Sequence, residues 1–259
     1  MTSDLPGNTM EWIQREMKEF VEEWKTSAGG DFWREPLVAC ASAHDPIFLR
    51  LKEVVDPSHA MPRDILPEAE SVIVFFLPFK PEFGRENDNA GFHCSRNWGI
   101  LYYTTNNLIL AINQHLLHRL EAAGHKASVT PATHNFDEQK LVSSWSHKHL
   151  GYIAGLGTFG RNHLLITKEG CCGRLGSLVT SMPVPPTARP DKEYCLDKKG
   201  RECLGCVSKC IYGALKEDEY DRHACYAQCL ANNSYFDDLP LVDVCGKCGC
   251  EVPCSYSAT

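Results

Sequence analysis

The sequence lacks three features that would each assign it to a class of proteins. It has no apolar run near the ~20 residues that a membrane-spanning helix needs, since the longest, residues 72–77, is strand-sized. Its polar, acidic N-terminus contains no apolar stretch of signal-peptide type. It has no surplus of basic residues, because the net charge is -7. We therefore expect a soluble cytoplasmic protein with no membrane partner and no broad surface for nucleic acid.

Cysteine, in contrast, is abundant and concentrated near one end. The chain has 259 residues and 14 cysteines, ten of which fall between Cys195 and Cys254. A CxxCxxxC run covers 203–210, and a second CxxC covers 245–248. Bacterial ferredoxins use such runs to hold two 4Fe-4S clusters, with one cysteine of each run crossing to the other cluster. The spacing therefore predicts a two-cluster module.

Two other interpretations of these cysteines stay open. A disulfide framework needs an oxidising compartment, for which the N-terminus gives no signal. Structural zinc is the stronger alternative, because two CxxC pairs make one tetrahedral thiolate site. Zinc would leave Cys195, Cys210 and Cys254 without a role. One departure from the ferredoxin pattern is Ile211, which stands where a proline usually follows the run.

The rest of the chain predicts an α/β body with a sheet flanked by helices. An amphipathic helix is expected over 9–25, where apolar residues recur on one face. The run SVIVFFLPF over 71–79 is typical of a buried strand. A long helix is expected over 105–123, ended by Gly124, and the strands LLIT and GSLVTSM follow later.

A glycine-rich loop, GLGTFG over 155–160, lies between a helix pattern and the strand LLIT. It contains the GxGxxG string of dinucleotide-binding loops, but those loops follow a strand and begin a helix, which is the opposite order. We therefore discount NAD. The glycines either let backbone approach a ligand closely or form the turn between helix and strand, and both interpretations stay open.

Five segments resemble the epoxyqueuosine reductases and the related reductive dehalogenases, in the same order along the chain. They are LPEAESVIVFFLPF, SRNWGILYYTTNNLILAINQHLLHRLEAAGH, AGLGTFGRNHLLIT with GSLVTSM, CLGCVSKCIYGAL and DRHACYAQCL. The resemblance implies a nitroreductase-like α/β domain that holds a cobalamin and a C-terminal ferredoxin-like domain with two 4Fe-4S clusters. The expected division is a helical extension packed on the body over 1–58, the α/β domain over 59–190 and the ferredoxin-like domain over 191–259.

The resemblance also implies an activity and a cofactor site. Electrons would pass from a ferredoxin- or flavodoxin-type donor through the clusters to the cobalamin, which reduces a small electrophilic substrate. The string SRNWG partly matches a family motif that lies close to the corrinoid, and the glycine-rich loop supplies further contacts. The expected cofactor-binding residues are Arg96, Tyr102, Gly155, Leu156, Gly157, Thr158, Gly160 and Asn162.

The family's catalytic aspartate is missing from its usual place before the glycine-rich loop. The corresponding stretch is LVSSWSHKHLG over 141–151, and the nearest aspartate, Asp137, lies a few residues too early. His147 and His149 are the candidate replacement acids, because histidine titrates near neutral pH, and the other interpretation is that either ring serves as a cap or lines a pocket. The alternative is an electron-transfer or corrinoid-handling protein with no substrate of its own.

Transfer RNA is a further partner that the resemblance implies. Some epoxyqueuosine reductases use C-terminal repeats to bind it, and this chain stops five residues after Cys254 without them. That difference and the missing aspartate both argue against a queuosine substrate.

The crossing rule divides eight of the cysteines into two ligand sets. The first cluster is expected on Cys195, Cys203, Cys206 and Cys254, and the second on Cys210, Cys225, Cys245 and Cys248. Cys229 and Cys250 are then spare, and the choice of Cys225 over Cys229 rests on the family-like string DRHACYA. Replacement of a proposed ligand by Cys229 or Cys250 stays open. The vicinal Cys171 and Cys172 are interpreted either as buried packing thiols or as a redox pair.

Overall fold

The computed structural model describes residues 8–133 and 136–259 as a mixed helix and sheet structure. The first seven residues of the region expected as an N-terminal extension, and residues 134–135 of the expected α/β domain, lie outside the described residues. Within the described ranges, no helix has the length and apolar character needed to cross a bilayer.

Eight helices and eight strands are described, together with three short turns of helix. The helices are α1 (Thr9–Trp24), α2 (Ile47–Val54), α3 (Pro62–Ile65), α4 (Pro81–Asn89), α5 (Arg96–Ala122), α6 (His147–Ile153), α7 (Gly205–Ser208) and α8 (Arg222–Tyr235). The strands are β1 (Leu37–Ser42), β2 (Ser71–Pro78), β3 (Ala127–Val129), β4 (Phe136–Asp137), β5 (Val142–Ser143), β6 (Gly157–Phe159), β7 (Leu165–Thr167) and β8 (Gly173–Thr180). The turns of helix cover Lys25–Gly29, Asp197–Lys199 and Lys247–Gly249.

A four-stranded antiparallel sheet in the order β1-β2-β8-β3 forms the centre of the fold. Every residue of β2 is buried, which confirms the strand predicted over 71–79. Side chains alternate along a strand, so Ile73 and Phe75 pack in the core shared with α1 and α5. Val72 and Val74 pack in the core shared with α2 and α6. The sheet therefore lies between two helical layers.

Helix α1 confirms the amphipathic helix predicted over 9–25. Asn8 caps it, because its side-chain oxygen accepts hydrogen bonds from the backbone N–H groups of Met10 at 3.2 Å and Glu11 at 3.4 Å. The helix packs on α5, where its Glu16 accepts a hydrogen bond from Arg119 at 2.8 Å. The predicted helix is therefore fixed to the body.

The region over 1–58 also supplies an edge strand, which the sequence did not predict. Strand β1 pairs with β2, so that Val38 lies opposite Phe75. Its sequence, LVACAS, is short and lacks a clear period, and such a run is ambiguous between helix and strand until a partner strand is known. The N-terminal segment is therefore part of the central sheet as well as of a helical layer.

Helix α5 begins at Arg96 rather than at the predicted residue 105. Ser95 caps it by accepting a hydrogen bond from the backbone N–H of Trp98 at 3.1 Å. Gly99 disfavours helix in isolation, but a Cβ there would come within 2.7 Å of the Val242 side chain. The glycine is therefore explained by close packing of the C-terminal region on the first turns of α5.

The C-terminal region also attaches to the body just before β8. The backbone N–H groups of Cys171 and Cys172 donate to the carbonyls of Cys254 and Ser255, each at 2.9 Å. Gly170 has φ of 85° and permits this approach, since a Cβ would come within 2.2 Å of the Ser255 carbonyl oxygen. This attachment positions the last cysteine of the chain.

Candidate functional site

Four cysteines from three segments surround a cavity of about 20 Å³, which we call the small cavity. Cys195 lies just before the turn Asp197–Lys199, Cys203 and Cys206 lie at the start of α7, and Cys254 lies in the attached C-terminal segment. The other lining residues are Gly160, Arg161, Asn162, Leu196, Val252, Pro253 and Thr259. The fold thus brings together the four cysteines expected to hold the first cluster.

The second expected set of cysteines lines a cavity of about 310 Å³, which we call the large cavity. Cys210 follows α7, Cys225 lies on α8, and Cys245 and Cys248 lie at the turn Lys247–Gly249. Cys229, one turn after Cys225 on α8, lines it as well. The remaining wall is largely aromatic and cationic, and it includes Phe79, Trp98, Tyr102, Lys148, Arg174, Tyr212 and Tyr220.

The electrostatics of the thiols link cysteines within each set, and Cys248 of the second set also responds to the charge of Cys206 in the first. The pKa of the Cys206 thiol is raised to about 11, first by burial and then by the negative charge of Cys254, Cys195 and Cys203 as thiolates. The pKa of the Cys248 thiol is also raised, first by burial and then by the thiolates of Cys245 and Cys225. Each set is therefore close enough to repel as thiolates, and a positively charged metal core would relieve that repulsion.

Two clusters and a single ion make different demands on the thiols. Tetrahedral zinc needs every sulfur about 2.3 Å from the same ion. In a 4Fe-4S cluster each cysteine binds a different iron, so the thiols surround a larger core. Across residues 8–133 and 136–259, no group of three or more His, Cys, Asp or Glu side chains is arranged to hold one metal ion. The two sets of four cysteines supply the number of thiolates that two clusters need.

Cys225 and Cys229 compete for the same place on the wall of the large cavity. Contact with the Cys229 thiol is the main influence that lowers the pKa of Cys225 to about 6, and the Tyr220 hydroxyl and the Lys148 ammonium lower it further. The same contact and burial raise the pKa of Cys229. Both thiols therefore reach the large cavity, and the choice of Cys225 over Cys229 stays a sequence-based prediction.

The spare Cys250 lies away from both cavities. Its side chain is fully buried, and its thiol donates a hydrogen bond to the Gly246 carbonyl at 3.2 Å. Contact with Cys250, followed by burial, holds the pKa of Cys172 well above that of a free thiol. A high pKa disfavours the reactive thiolate, so the geometry supports the packing interpretation of Cys172.

Asn162 and Cys171 lie at the boundary between the two cavities. The Asn162 side chain lines both cavities, and its Nδ2 donates to the Cys248 carbonyl at 3.0 Å. The Cys171 Sγ lies 4.0 Å from the Cys254 Sγ and 3.8 Å from the Asn162 Nδ2. The buried side chain of Asn162 therefore borders both the small cavity and the large cavity.

The first half of the glycine-rich loop packs against the chain itself. Gly155 has φ of 85°, and a Cβ there would come within 2.6 Å of the Ala188 carbonyl oxygen. A Cβ at Gly157 would come within 1.9 Å of the Ile166 carbonyl oxygen in the β6–β7 hairpin. Leu156 is buried in the core, and the Thr158 Oγ1 accepts a hydrogen bond from the Tyr194 backbone N–H at 2.8 Å. Gly155 and Leu156 therefore lie in the turn between α6 and β6, and Gly157 and Thr158 form the start of β6.

The other expected cofactor-binding residues have different surroundings. Gly160 and Asn162 line the small cavity, and Tyr102 lines the large one. Arg96 instead pairs with Asp238 on the surface, with an Nη1–Oδ1 distance of 3.0 Å. The Arg174 guanidinium lies 4.4 Å from the centre of the Tyr102 ring. Of the eight expected residues, Tyr102, Gly160 and Asn162 therefore reach a cavity.

Neither proposed catalytic histidine is among the residues that line the cavities. His147 Nδ1 and Nε2 are engaged with the Ser177 hydroxyl and the Pro131 carbonyl, each at 2.9 Å. His149 Nδ1 is engaged with the Ser146 hydroxyl at 2.8 Å. Burial lowers the pKa of both rings to about 4, so both are neutral near pH 7. The hydrogen bonds give these rings a structural part in holding α6.

Sequence reasoning missed two lysines that line the large cavity. Lys247 is 3% exposed, and its Nζ donates to the Asn87 carbonyl at 2.7 Å. Lys148 on α6 donates to the His163 carbonyl at 2.9 Å. In the described part of the chain, no ion pair joins either lysine to a carboxylate. The position of Lys247 inside the second CxxC was the signal available in the sequence.

Two more buried polar groups at the large cavity lack a partner in the structure. They are the Nε of Arg174 and the indole Nε1 of Trp98, and both are hydrogen-bond donors. A buried donor without an acceptor is costly, so a ligand with acceptor atoms would be stabilised at this wall.

Comparison with known proteins establishes the fold. Neither a family model nor a curated protein sequence matches this chain. A selenomethionine-labelled epoxyqueuosine reductase structure aligns with a TM-score of 0.52 and 16% identity over 94% of this chain and 66% of that one. An epoxyqueuosine reductase from Bacillus subtilis gives a TM-score of 0.52 and 16% identity over 95% and 67%.

A catabolic reductive dehalogenase aligns with a TM-score of 0.58 and 15% identity, over 86% of this chain and 30% of that chain. The chain thus spans about two thirds of the length of the epoxyqueuosine reductases and about a third of the dehalogenase. The resemblance inferred from sequence motifs is confirmed at the level of the fold.

Proposed function

We propose that this chain is an iron–sulfur oxidoreductase that carries one 4Fe-4S cluster at each cavity and reduces an acceptor bound in the large cavity. One observation carries the proposal: the two cysteine sets surround two adjoining cavities, in the division that the crossing rule requires. The fold shared with epoxyqueuosine reductases and a reductive dehalogenase supports the reductase assignment.

The chain's own residues account for how the two sites are held. Backbone hydrogen bonds from the vicinal Cys171 and Cys172 place Cys254 at the small cavity. Asn162 fixes the Cys248 carbonyl at 3.0 Å and separates the two sites by a single side chain. When bound, the clusters supply one-electron transfer at low potential. A reduced ferredoxin or flavodoxin is the expected donor, and a reducing cytoplasm is the expected compartment.

The wall of the large cavity supplies a candidate proton donor in Tyr102. Burial is the main cause that raises the pKa of its phenol, and the charge of Asp243 raises it further, while Arg174 opposes both. The phenol is therefore protonated at neutral pH, and Arg174 beside the ring stabilises negative charge left when the proton is given up. Tyr102 is better placed for this step than His147 or His149 because it faces the cavity.

Cobalamin is the acceptor that the family resemblance implies, and the described cavity does not fit it as it stands. A volume of about 310 Å³ is at the low end for a drug-sized ligand, and a corrinoid is much larger. Four of the residues expected to bind it, Gly155 to Thr158, pack against the chain itself in the turn before β6 and in the start of that strand. Cobalt content after exposure to cobalamin measures whether a corrinoid binds.

A second candidate function is electron transfer without a substrate of the chain's own. The observation that favours it is the stretch before the glycine-rich loop, where His147 and His149 hold α6 rather than face a cavity. A chain of this kind would reduce the cofactor of a partner protein. Two clusters that dithionite can reduce, together with no turnover of any small molecule tested, would support this second function.

Anaerobic reconstitution tests the proposed function directly. The chain is incubated with iron and sulfide, desalted, and analysed for iron, sulfide, zinc and cobalt after exposure to cobalamin. We expect about eight iron atoms per chain and a 4Fe-4S electron paramagnetic resonance (EPR) signal after reduction with dithionite. One zinc per chain with no bound iron would contradict the proposal.

A further inference from the structure

The two cavities differ in the charge that faces their cysteines. Arg161, which lines the small cavity, is paired with Asp197 at 2.8 Å. Lys148 and Lys247 line the large cavity and have backbone carbonyls as their hydrogen-bond partners. The cation at the small cavity is therefore neutralised by a carboxylate. The Asp243 carboxylate also lines the large cavity, but in the described part of the chain no ion pair joins it to Lys148 or Lys247, so both lysines keep their charge available to the neighbouring thiolates.

Lys247 is held rigidly next to the second ligand set. It lies between Cys245 and Cys248 in sequence, and the whole residue is 3% exposed. The carbonyl of Asn87 accepts from its Nζ, while the Asn87 Nδ2 donates to the Cys245 carbonyl at 2.9 Å. Asn87 is fully buried, and its Oδ1 accepts from the Ser95 backbone N–H at 3.0 Å. The buried Asn87 therefore holds the Lys247 ammonium through its backbone carbonyl and the Cys245 loop through its side-chain amide.

A fixed cation beside a cluster favours the reduced form. Reduction adds one negative charge to a cluster that is already anionic with its four thiolates, and cluster potentials respond to the net charge around them. A charge in a low-dielectric interior acts more strongly than one in water. The unpaired charges of Lys247 and Lys148 should therefore raise the reduction potential of the large-cavity cluster more than that of the small-cavity cluster.

We propose that Lys247, assisted by Lys148, holds the cluster of the large cavity at a higher reduction potential than the cluster of the small cavity. Electrons then run downhill from the small cavity toward the large one. The transfer moves one electron from the reduced cluster to the oxidised cluster, with no bond made or broken. This inference rests on the proposed function, because it needs both clusters. It adds the direction of electron transfer and gives Lys247 the role of a positioning residue.

An EPR-monitored redox titration of the reconstituted full chain tests the inference. The wild type is expected to show two potentials. K247M, which keeps length but removes the charge, should lower the higher potential by about 59 mV, a tenfold change for a one-electron couple, and leave the lower one unchanged. K247R, which keeps a charge, should restore most of the shift. Lys192 is exposed and three residues before Cys195, so K192M should move neither potential.

Two further samples make each outcome decisive. C254A, which removes a ligand at the small cavity, should retain the higher potential only. If K247M does not keep its iron, the same titration is carried out on K148M. Lys148 lies on α6, outside the cysteine loop, so its replacement leaves the sequence of that loop unchanged. A higher potential that is unchanged in an iron-replete K247M or K148M, or a shift of both potentials together, would overturn the inference. A wild type without iron would instead contradict the proposed function.

Discussion

The two cavities use the same ligand chemistry in different surroundings. Both are lined by four cysteines that the crossing rule groups together, yet one measures about 20 Å³ and the other about 310 Å³. The small cavity is also lined by Pro253, Val252 and Arg161, which is paired with Asp197. The large cavity adds aromatic rings, two lysines that have backbone carbonyls as partners, and the Asp243 carboxylate. Under the proposed function, the small cavity would serve transit of electrons and the large one exchange with an acceptor.

The strongest way to test this comparison is to empty one cavity and keep the other. Cys254→Ala removes a ligand at the small cavity, so we expect it to lose about half of the roughly eight iron atoms while the other cluster stays. Iron analysis and the EPR signal of the reduced protein measure this.

Two matched variants control for a general loss of folding. Cys250 is fully buried and hydrogen-bonded to the Gly246 carbonyl, so Cys250→Ala should keep nearly all of the iron. Cys171→Ala should also keep it, although its Sγ lies 4.0 Å from that of Cys254. Equal iron losses in Cys254→Ala and Cys250→Ala would refute the assignment of the small cavity.

A smaller effect is expected at the large cavity, where a second thiol is available. Cys225→Ser should lose part of one cluster, because Cys229 lies one turn away on α8 and lines the same wall. Cys229→Ser should leave the iron content intact, since the family-like string DRHACYA assigns the ligand to Cys225. A Cys229→Ser variant that loses more iron than Cys225→Ser would reverse the assignment.

The two groups of cysteines that line the cavities were largely predicted from sequence because most of the grouping rests on local spacing, whereas the choice of Cys225 rested on the family-like string DRHACYA. CxxC runs place thiols on one short loop, and the crossing rule supplies the fourth ligand. The predicted helix over 9–25 and the strand over 71–79 were confirmed for a similar reason, since each carries a strong period or a continuous apolar run.

The features that the sequence did not reveal depend on distant contacts. Strand β1 is recognisable only through its pairing with β2, and the early start of α5 depends on Val242 packing over Gly99. Lys148, Arg174 and Trp98 come to one cavity from three different elements. The glycine-rich loop shows the limit most plainly, because a ligand loop and a tight turn demand the same residues. In the structure, Gly155 packs on the Ala188 carbonyl in the turn after α6, and Gly157 packs on the Ile166 carbonyl inside the β6–β7 hairpin.

The smallest expected effect concerns the wall of the large cavity and its dependence on pH. His147 precedes Lys148 on α6 and is held by the Ser177 hydroxyl and the Pro131 carbonyl. Burial lowers its pKa from 6.5 to about 4, so the unfolded chain takes up a proton near pH 6.5 and the folded chain only near pH 4. Its contribution to stability is therefore present above about pH 6.5 and is lost as the pH falls toward 4.

Between pH 7 and pH 5 this single ring should cost about 2 kcal/mol of unfolding free energy. Anaerobic urea denaturation at both pH values measures it. His147→Gln cannot titrate but keeps a donor and an acceptor, so its stability should fall less over the same interval. If wild type and His147→Gln lost the same stability between pH 7 and pH 5, the neutral ring would not be what holds α6, and with it Lys148, against the sheet. The large cavity would then owe its wall to apolar packing alone.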